Sequence, residues 1–187
     1  SDIKKIFITH MHIDHVGMAG RISQAYGTEI WVNEKSEERV LKYIEYGSMT
    51  KRMTFEVTTK LLGIDPNDTS NPMYNAGRSA GKTRDTWTHI PEENLRIYRI
   101  GDNLSFGGEE WEVIFMPGHS DTQTIYLQKE TKKILSADML LSVTPTPFYE
   151  RTGGLNGERI KGLPIMMDSY ARLNNIDFEL AYPGHYD

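Results

Sequence analysis

Three of the six histidines lie within six residues of one another, and an aspartate lies among them. Imidazole and carboxylate are the ligands expected of a borderline divalent metal such as zinc. His10 and His12 lie two residues apart at the end of a predicted strand, so both project to one side and can bind one ion. Asp14 and His15 follow in a turn, from which they can reach a second position close by. The cluster therefore predicts a metal site rather than a polar surface loop.

Two further histidines and one further aspartate follow predicted strands. His119 comes after the strand 111–116 and His185 after the strand 178–182, in each case directly behind a Pro-Gly dipeptide. Asp138 also follows a strand directly, where it either caps the next turn or bridges two cations. Since the chain leaves a sheet at a strand end, side chains there face a cleft. These three residues are therefore candidate members of the same site.

The elements that must position these residues follow an α/β order. Apolar and β-forming residues predict a strand over 4–9, helical spacing predicts a helix over 17–26 that ends at Gly27, and alternation predicts a strand over 29–33. Further strands are predicted at 95–98, 104–106, 111–116, 124–128, 133–136 and 178–182, and a helix is predicted at 160–173.

Between the first three elements and the later strands lies a segment of different character. Apolar residues recur at three- and four-residue steps from 34 to about 62, which favours helix. Residues 63–87 are rich in Asn, Asp, Gly, Ser and Pro, which is typical of a functional loop or a mobile insertion. We interpret 34–90 as a helical and loop insertion within a single domain that comprises residues 1–187.

Composition excludes several classes of protein. With no cysteine among 187 residues, the chain has no disulfide scaffold, no thiolate zinc site and no cysteine nucleophile. The net charge of −5 argues against a nucleic-acid binder, which usually carries a basic face. No run approaches the roughly 20 apolar residues of a membrane helix, and no targeting segment is visible. We expect a cytoplasmic protein that acts on a small-molecule substrate.

Residues 9–15 (THMHIDH) resemble the T-H-x-H-x-D-H signature of the metallo-β-lactamase-fold hydrolases. Residues 118–120 (GHS), 136–138 (SAD) and 183–185 (PGH) are similar to the later ligand motifs of that superfamily, in the same chain order. The resemblance covers nearly the whole chain. It implies an α/β fold, a four-layer αββα sandwich, with a binuclear metal site at the edge of the sheets.

The resemblance also implies which residues bind each metal ion. It assigns three histidines to the first ion, a carboxylate and two histidines to the second, and one aspartate as a bridge: His10, His12 and His119; Asp14, His15 and His185; Asp138. Two divalent ions are expected, with zinc favoured and iron or manganese open. His89 is left without a role and is expected at the surface.

Such a site implies a hydrolytic mechanism. Two neighbouring divalent ions share a hydroxide whose pKa falls toward neutrality, and this metal-bound hydroxide attacks a carbonyl that a metal polarises. Asp14 is the predicted catalytic residue, because it lies where it can orient the nucleophile or carry its proton to the leaving group. Without cysteine, an acyl-enzyme through sulfur is excluded.

Departures from the family patterns narrow the substrate. True β-lactamases carry Cys or Ser where Asp138 stands, and acyl-homoserine lactonases typically carry Tyr where Leu141 stands. The nearest likeness is to the glyoxalase II-like group, which implies a zinc-dependent hydrolase of thioesters or related esters. Lactonase or β-lactamase-like activity, a metal-dependent nuclease and a non-catalytic metal-binding module remain the alternatives.

Only one predicted strand precedes the histidine cluster. Relatives place several strands there, so we expect the 187 residues to be a fragment of a longer chain that lacks N-terminal strands of one sheet. A sheet edge left exposed in this way favours pairing with another chain. We therefore expect a homo-oligomer formed through that edge.

Overall fold

The computed structural model describes residues 3–44, 63, 65, 68, 70, 87–143, 146 and 161–185 of the chain. Within these residues the strands form one sheet of three and one sheet of five. The strands are β1 (Lys5–Ile8), β2 (Glu29–Asn33), β3 (Leu95–Tyr98), β4 (Asn103–Phe106), β5 (Glu109–Phe115), β6 (Thr124–Gln128), β7 (Lys133–Ala137) and β8 (Leu180–Pro183). The helices are α1 (Ile13–Val16), α2 (Ala19–Tyr26), α3 (Glu37–Leu41) and α4 (Gly162–Leu173), with a 3₁₀ turn at Glu92–Asn94.

The three-stranded sheet is parallel, in the order β1-β2-β3. Parallel neighbours need a crossover, and α2 supplies it between β1 and β2. This helix ends at Gly27, whose φ of 67° is the left-handed conformation that glycine adopts at little cost. The predicted order of strand, helix and strand is confirmed.

The five-stranded sheet has the order β4-β5-β6-β7-β8, and only its last pair is parallel. The β4–β5 hairpin turns at Gly107 and Gly108, with φ values of 62° and 79°. Two consecutive positive φ angles match the twist of the flanking strands, which is why a Gly-Gly pair predicts this turn. The antiparallel pairing of β6 with β7 is also confirmed.

Three apolar clusters separate the layers. One lies between the first sheet and α2, one lies between the two sheets, and one lies between the second sheet and α4. Their buried centres are, respectively, Ile8, Val16, Ile30 and Val32; Tyr98, Trp111, Val113 and Tyr126; and Met116, Ile125, Ile134 and Met166. Helix, sheet, sheet and helix therefore form the four layers of the predicted αββα sandwich.

Some element bounds differ from the prediction. The segment after His12 was predicted as loop, but it forms the helical turn α1, because the His12 carbonyl accepts bonds from the amides of His15 and Val16. The last strand begins at Leu180 rather than at residue 178. Phe178 instead packs against the apolar cluster beneath α4.

Much of the predicted insertion lies outside the described residues, namely 45–62 and most of 64–86. Its described beginning contains the short helix α3. Its described end contains Trp87, which stacks on Tyr43 with ring centroids 3.9 Å apart. The two ends of the insertion are therefore packed together on the side of the first sheet that faces α2.

β1 and β3 are the edge strands of the three-stranded sheet as described. Association of two chains through such an edge stays a prediction. Among the helices of the described residues, none is both long and apolar enough to span a bilayer.

A pair of buried tyrosines joins the two sheets behind the histidine cluster. The hydroxyls of Tyr98 on β3 and Tyr126 on β6 lie 2.7 Å apart. The Tyr98 hydroxyl lies 3.1 Å from the carbonyl of Ile8, at the end of β1. Burial raises the pKa of Tyr98 and raises the pKa of Tyr126 well above its ordinary value, to which the neighbouring Tyr98 contributes. Both hydroxyls therefore stay neutral at physiological pH.

The raised pKa values predict a loss of stability in alkali. Above pH 10 a tyrosine of the unfolded chain releases its proton while Tyr98 and Tyr126 retain theirs, so the free energy of unfolding falls as pH rises. Each hydroxyl contributes a slope of up to about 1.4 kcal/mol per pH unit. Urea unfolding between about pH 8 and pH 11 should show a shallower alkaline loss for Tyr126→Phe than for the wild type. Tyr26→Phe, which removes an exposed hydroxyl, is the control for the substitution itself and should leave the free energy of unfolding at pH 8 unchanged.

Candidate metal centre

The first cluster of site residues lies where β1 leaves its sheet. His10 is fully buried, and its Nδ1 lies 3.1 Å from the hydroxyl of Thr9. An Nδ1 proton donated to that hydroxyl leaves the lone pair of Nε2 available for a ligand. Asp14 and His15 lie on α1, and the His15 ring centroid lies 4.1 Å from that of His10.

The structure gathers four residues into a first group of possible metal ligands. One ligand atom from each of His10, His12, His119 and Asp138 lies within 4.8 Å of all the others. His12 Nδ1 lies 3.1 Å from His10 Nε2 and 2.9 Å from His119 Nε2. Three ring nitrogens from two distant parts of the chain therefore converge on one point.

A second group comprises Asp14, His15 and His185. His185 Nε2 lies 3.2 Å from both Asp14 Oδ2 and His15 Nε2. The members of this group are more exposed than those of the first, with 53% of the Asp14 side chain accessible. The second group therefore forms the outer, solvent-facing side of the site.

Asp138 lies between the two groups. Its Oδ2 is 3.2 Å from Nε2 of His119 in the first group. The same oxygen is 3.3 Å from Nε2 of His15 and 3.5 Å from Nε2 of His185 in the second. Its other oxygen, Oδ1, is buried and has no hydrogen-bond partner among the described residues. One carboxylate is thus within reach of ligands from both groups.

The backbone around Asp138 is shaped to hold it there. Ala137, the preceding residue, has a φ of 47°, a conformation that costs a non-glycine residue energy and persists where the surroundings enforce it. The Ala137 carbonyl accepts a hydrogen bond from the amide of Gly184 at 2.8 Å. A Cβ on Gly184 would collide with Asp138 Oδ1, so glycine is required for this close approach.

Two buried groups of the site, His10 and Asp138, differ in their charge states. Burial, together with repulsion from His12, His15 and His119, holds the pKa of His10 well below its usual range, so His10 is neutral. Burial works to raise the pKa of Asp138. Hydrogen bonds from His119 and His15 outweigh it and hold that pKa well below its usual range, so Asp138 is ionised.

These residues fit divalent metal ions. A tetrahedral ion with bonds of about 2.0–2.1 Å to nitrogen separates neighbouring ligand nitrogens by about 3.3 Å. The observed distances of 2.9 Å and 3.1 Å from His12 Nδ1 to its two neighbours are close to that spacing. Imidazole nitrogens, an ionised carboxylate and a buried carboxylate oxygen without a hydrogen-bond partner among the described residues together form the donor set that zinc, iron or manganese accepts.

A model of the metallo-beta-lactamase superfamily matches residues 1–185. The chain belongs to the metallo-β-lactamase superfamily. This is a superfamily of metallo-hydrolases whose members bind divalent metal ions. Membership agrees with the sandwich of two sheets and with the paired His/Asp groups at its edge.

Relatives and solved structures give the same assignment. Probable metallo-hydrolase YqjP of Bacillus subtilis (strain 168) is 25% identical over 186 residues, which are 99% of this chain and 54% of that protein. Hydroxyacylglutathione hydrolase GloC of Haemophilus influenzae is 22% identical over 171 residues, 89% of this chain and 66% of that protein. The metallo-beta-lactamase family protein TTHA1429 from Thermus thermophilus superposes with a TM-score of 0.74 at 25% identity, over 100% of this chain and 56% of that one. The chain thus spans about half to two thirds of the length of these proteins.

All seven residues that the family resemblance predicts as metal ligands lie in the two groups. Their binding of metal stays a prediction. His89 lies outside both groups and is exposed. Sequence reasoning missed the buried polar residues around the site, among them Asn33 and Thr122. Asn33 is a polar residue at the end of a predicted strand, and that position is the one sequence signal that could have identified it. No sequence signal could have identified Thr122.

The contact between Gly184 and Asp138 predicts the effect of one added methyl group. Gly184→Ala should displace the Asp138 carboxylate and lower the metal content of purified protein, measured by inductively coupled plasma mass spectrometry. Gly107→Ala is the control, since that turn glycine has open space around it but a positive φ. It should lose stability, by roughly 1 kcal/mol, and retain its metal. Full metal content in Gly184→Ala would show that the close approach is not needed.

Proposed function

We propose that this chain forms a binuclear metal-dependent hydrolase that cleaves thioesters or related esters. The observation that carries the proposal is the position of Asp138 Oδ2, within 3.5 Å of imidazole nitrogens from both ligand groups. A structural metal site is closed by its own four ligands and has no use for a second, half-exposed group beside it. Two adjacent groups that share a carboxylate favour catalysis.

The proposal assigns each residue to an ion. The first ion would be held by His10, His12 and His119, and the second by Asp14, His15 and His185, with Asp138 shared. Zinc suits a donor set of imidazoles and carboxylates without thiolate, and iron and manganese suit it as well. Bound ions at such a site lower the pKa of water and polarise the carbonyl under attack.

The chain's own residues then have separate tasks. Asp138 is ionised and buried, so it supplies a fixed negative charge between the two groups. His10 is neutral and buried, so it offers a lone pair that is already free of a proton. Asp14 is half-exposed at the outer side of the site, with Oδ2 3.2 Å from His185 Nε2. From there it can accept a proton from attacking water and deliver it to the leaving group.

The name of one relative supports a thioester substrate. The Haemophilus influenzae relative is named for the hydrolysis of hydroxyacylglutathione, a thioester. Thioesters expel a good leaving group and need less help from a general acid than amides do. That matches a site whose one predicted proton carrier, Asp14, is half-exposed to solvent.

Removal of metal tests the proposal directly. The purified chain should hydrolyse at least one member of a panel of hydroxyacyl-glutathione thioesters, aryl esters and lactones, with release of thiol or acid followed spectrophotometrically. Dialysis against a chelator should abolish the activity, and addition of zinc, iron(II) or manganese(II) should restore it. The metal that restores most activity identifies the working ion. A chain that holds two metal ions and hydrolyses none of the panel would contradict the proposal.

Replacement of Asp14 tests the assigned proton carrier. Asp14→Asn keeps the shape of the side chain but removes its ability to accept a proton, so kcat should fall by about 10²–10⁴-fold. Metal content is measured alongside, because Asp14 also belongs to the second group. Asp177→Asn, at a carboxylate that is 78% exposed and paired with Lys132, is the control and should leave kcat unchanged. An unchanged kcat in Asp14→Asn would remove this residue from the mechanism.

A further inference from the structure

A buried polar turn connects the two segments that carry the first ligand group. It comprises residues 120–122, which lie between His119 and β6. Ser120 and Thr122 are 0% and 1% exposed, although neither is a candidate metal ligand. Burial of hydroxyl groups is costly unless they are hydrogen-bonded, so the bonds they form indicate what the turn does.

The Thr122 hydroxyl reaches across to the other ligand segment. It accepts a hydrogen bond of 3.3 Å from the backbone amide of Met11, the residue between His10 and His12. It also lies 3.1 Å from the hydroxyl of Ser120, next to His119. One side chain therefore connects the backbone between two histidines of the group to the turn that carries the third.

Thr122 is itself held from the end of β2. Its carbonyl accepts a 2.8 Å hydrogen bond from the Nδ2 of Asn33, which is fully buried. The Oδ1 of Asn33 accepts bonds from the amide of Lys35 and the hydroxyl of Ser36, so the orientation of the amide group is fixed. The oxygen and the nitrogen of the Asn33 side-chain amide are both hydrogen-bonded. A shift of Thr122 would therefore break bonds to two elements.

The adjacent Asp121 adds a third connection. Its carboxylate forms an ion pair with Arg39 on α3, with Nη2 2.7 Å from Oδ1 and 2.8 Å from Oδ2. Both side chains are largely buried, at 12% and 13% exposure. The turn 120–122 is thus bound to the histidine loop, to the end of β2 and to the first helix of the insertion.

We propose that Thr122 is a positioning residue that sets the separation of His12 from His119 and thereby the affinity of the first metal site. Those two rings approach to 2.9 Å although the residues are 107 positions apart in sequence. The Met11–Thr122 bond joins the backbone next to His12 to the turn that follows His119. Residues that orient metal ligands typically contribute about 10–100-fold to metal affinity. This inference rests on the proposed function only in requiring that the first group bind a divalent ion.

Titration of cobalt(II) into the metal-free chain tests the role of the hydroxyl. Thr122→Val keeps the shape of the side chain and removes the hydroxyl, and should weaken cobalt binding at the first site about 10–100-fold. Thr122→Ser keeps the hydroxyl and should bind nearly as tightly as the wild type. The cobalt absorption spectrum of the valine variant should also change, since the ligands of the first site are displaced. The affinity of the second site should stay as in the wild type, which a general loss of folding would not allow.

Thermal unfolding of the metal-free variants separates positioning from stability. Should Thr122→Val fail to fold, Thr122→Ala takes its place, because it removes the same hydroxyl without placing a second methyl group against the Met11 amide, and it should weaken the same site by about tenfold or more. Wild-type affinity and spectrum in the folded valine variant would overturn the positioning role alone. Equal weakening by serine and valine would overturn it as well. A wild-type chain that binds no cobalt would overturn both this inference and the proposed function.

Discussion

The site depends on one constraint, which is that an ionised carboxylate must be held among five imidazoles at the edge of a sandwich. Asp138 Oδ2 lies within 3.9 Å of four histidine Nε2 atoms, and those rings lie on segments far apart in the chain. Burial alone would drive this carboxyl toward its neutral form. The surrounding donors reverse that tendency, so the charge of Asp138 and the placement of the histidines depend on each other.

The fold meets this constraint by bringing strand ends from both sheets to one edge. β1 of the first sheet delivers His10 and His12, while β5, β7 and β8 of the second deliver His119, Asp138 and His185. The two sheets must therefore keep a fixed position relative to each other. The buried pair of Tyr98 and Tyr126, bonded to the Ile8 carbonyl two residues before His10, connects them at that level.

The same requirement explains the polar residues in the interior. Close to the site, buried hydroxyl and amide groups bond across elements: Tyr98 to Ile8, Thr122 to Met11, and Asn33 to Thr122. Each bond crosses between segments that carry a ligand or lie next to one. Polar bonds have directions, whereas apolar contacts do not, so they can fix the relative position of loops that a hydrophobic core would leave free to slide.

Local patterns explain why much of the fold was predictable. Strands such as β2, β3 and β6 match their predicted bounds, because alternation and turn glycines act over a few residues. The helical turn α1 was not foreseen, since a segment of His, Asp and Ile carries no clear helical period. It forms because the His12 carbonyl has two amides to accept from once the chain leaves β1.

By itself the sequence determined the residue types of the site and the order in which strands deliver them, since ligand chemistry and strand patterns are written in short segments. Tertiary structure alone decided the distances from Asp138 Oδ2 to the histidines of both groups, the requirement for glycine at position 184, and the contact of Thr122 with Met11, 111 positions away. These distances arise from the packing of two sheets against each other, and no local pattern in the chain encodes their relative position.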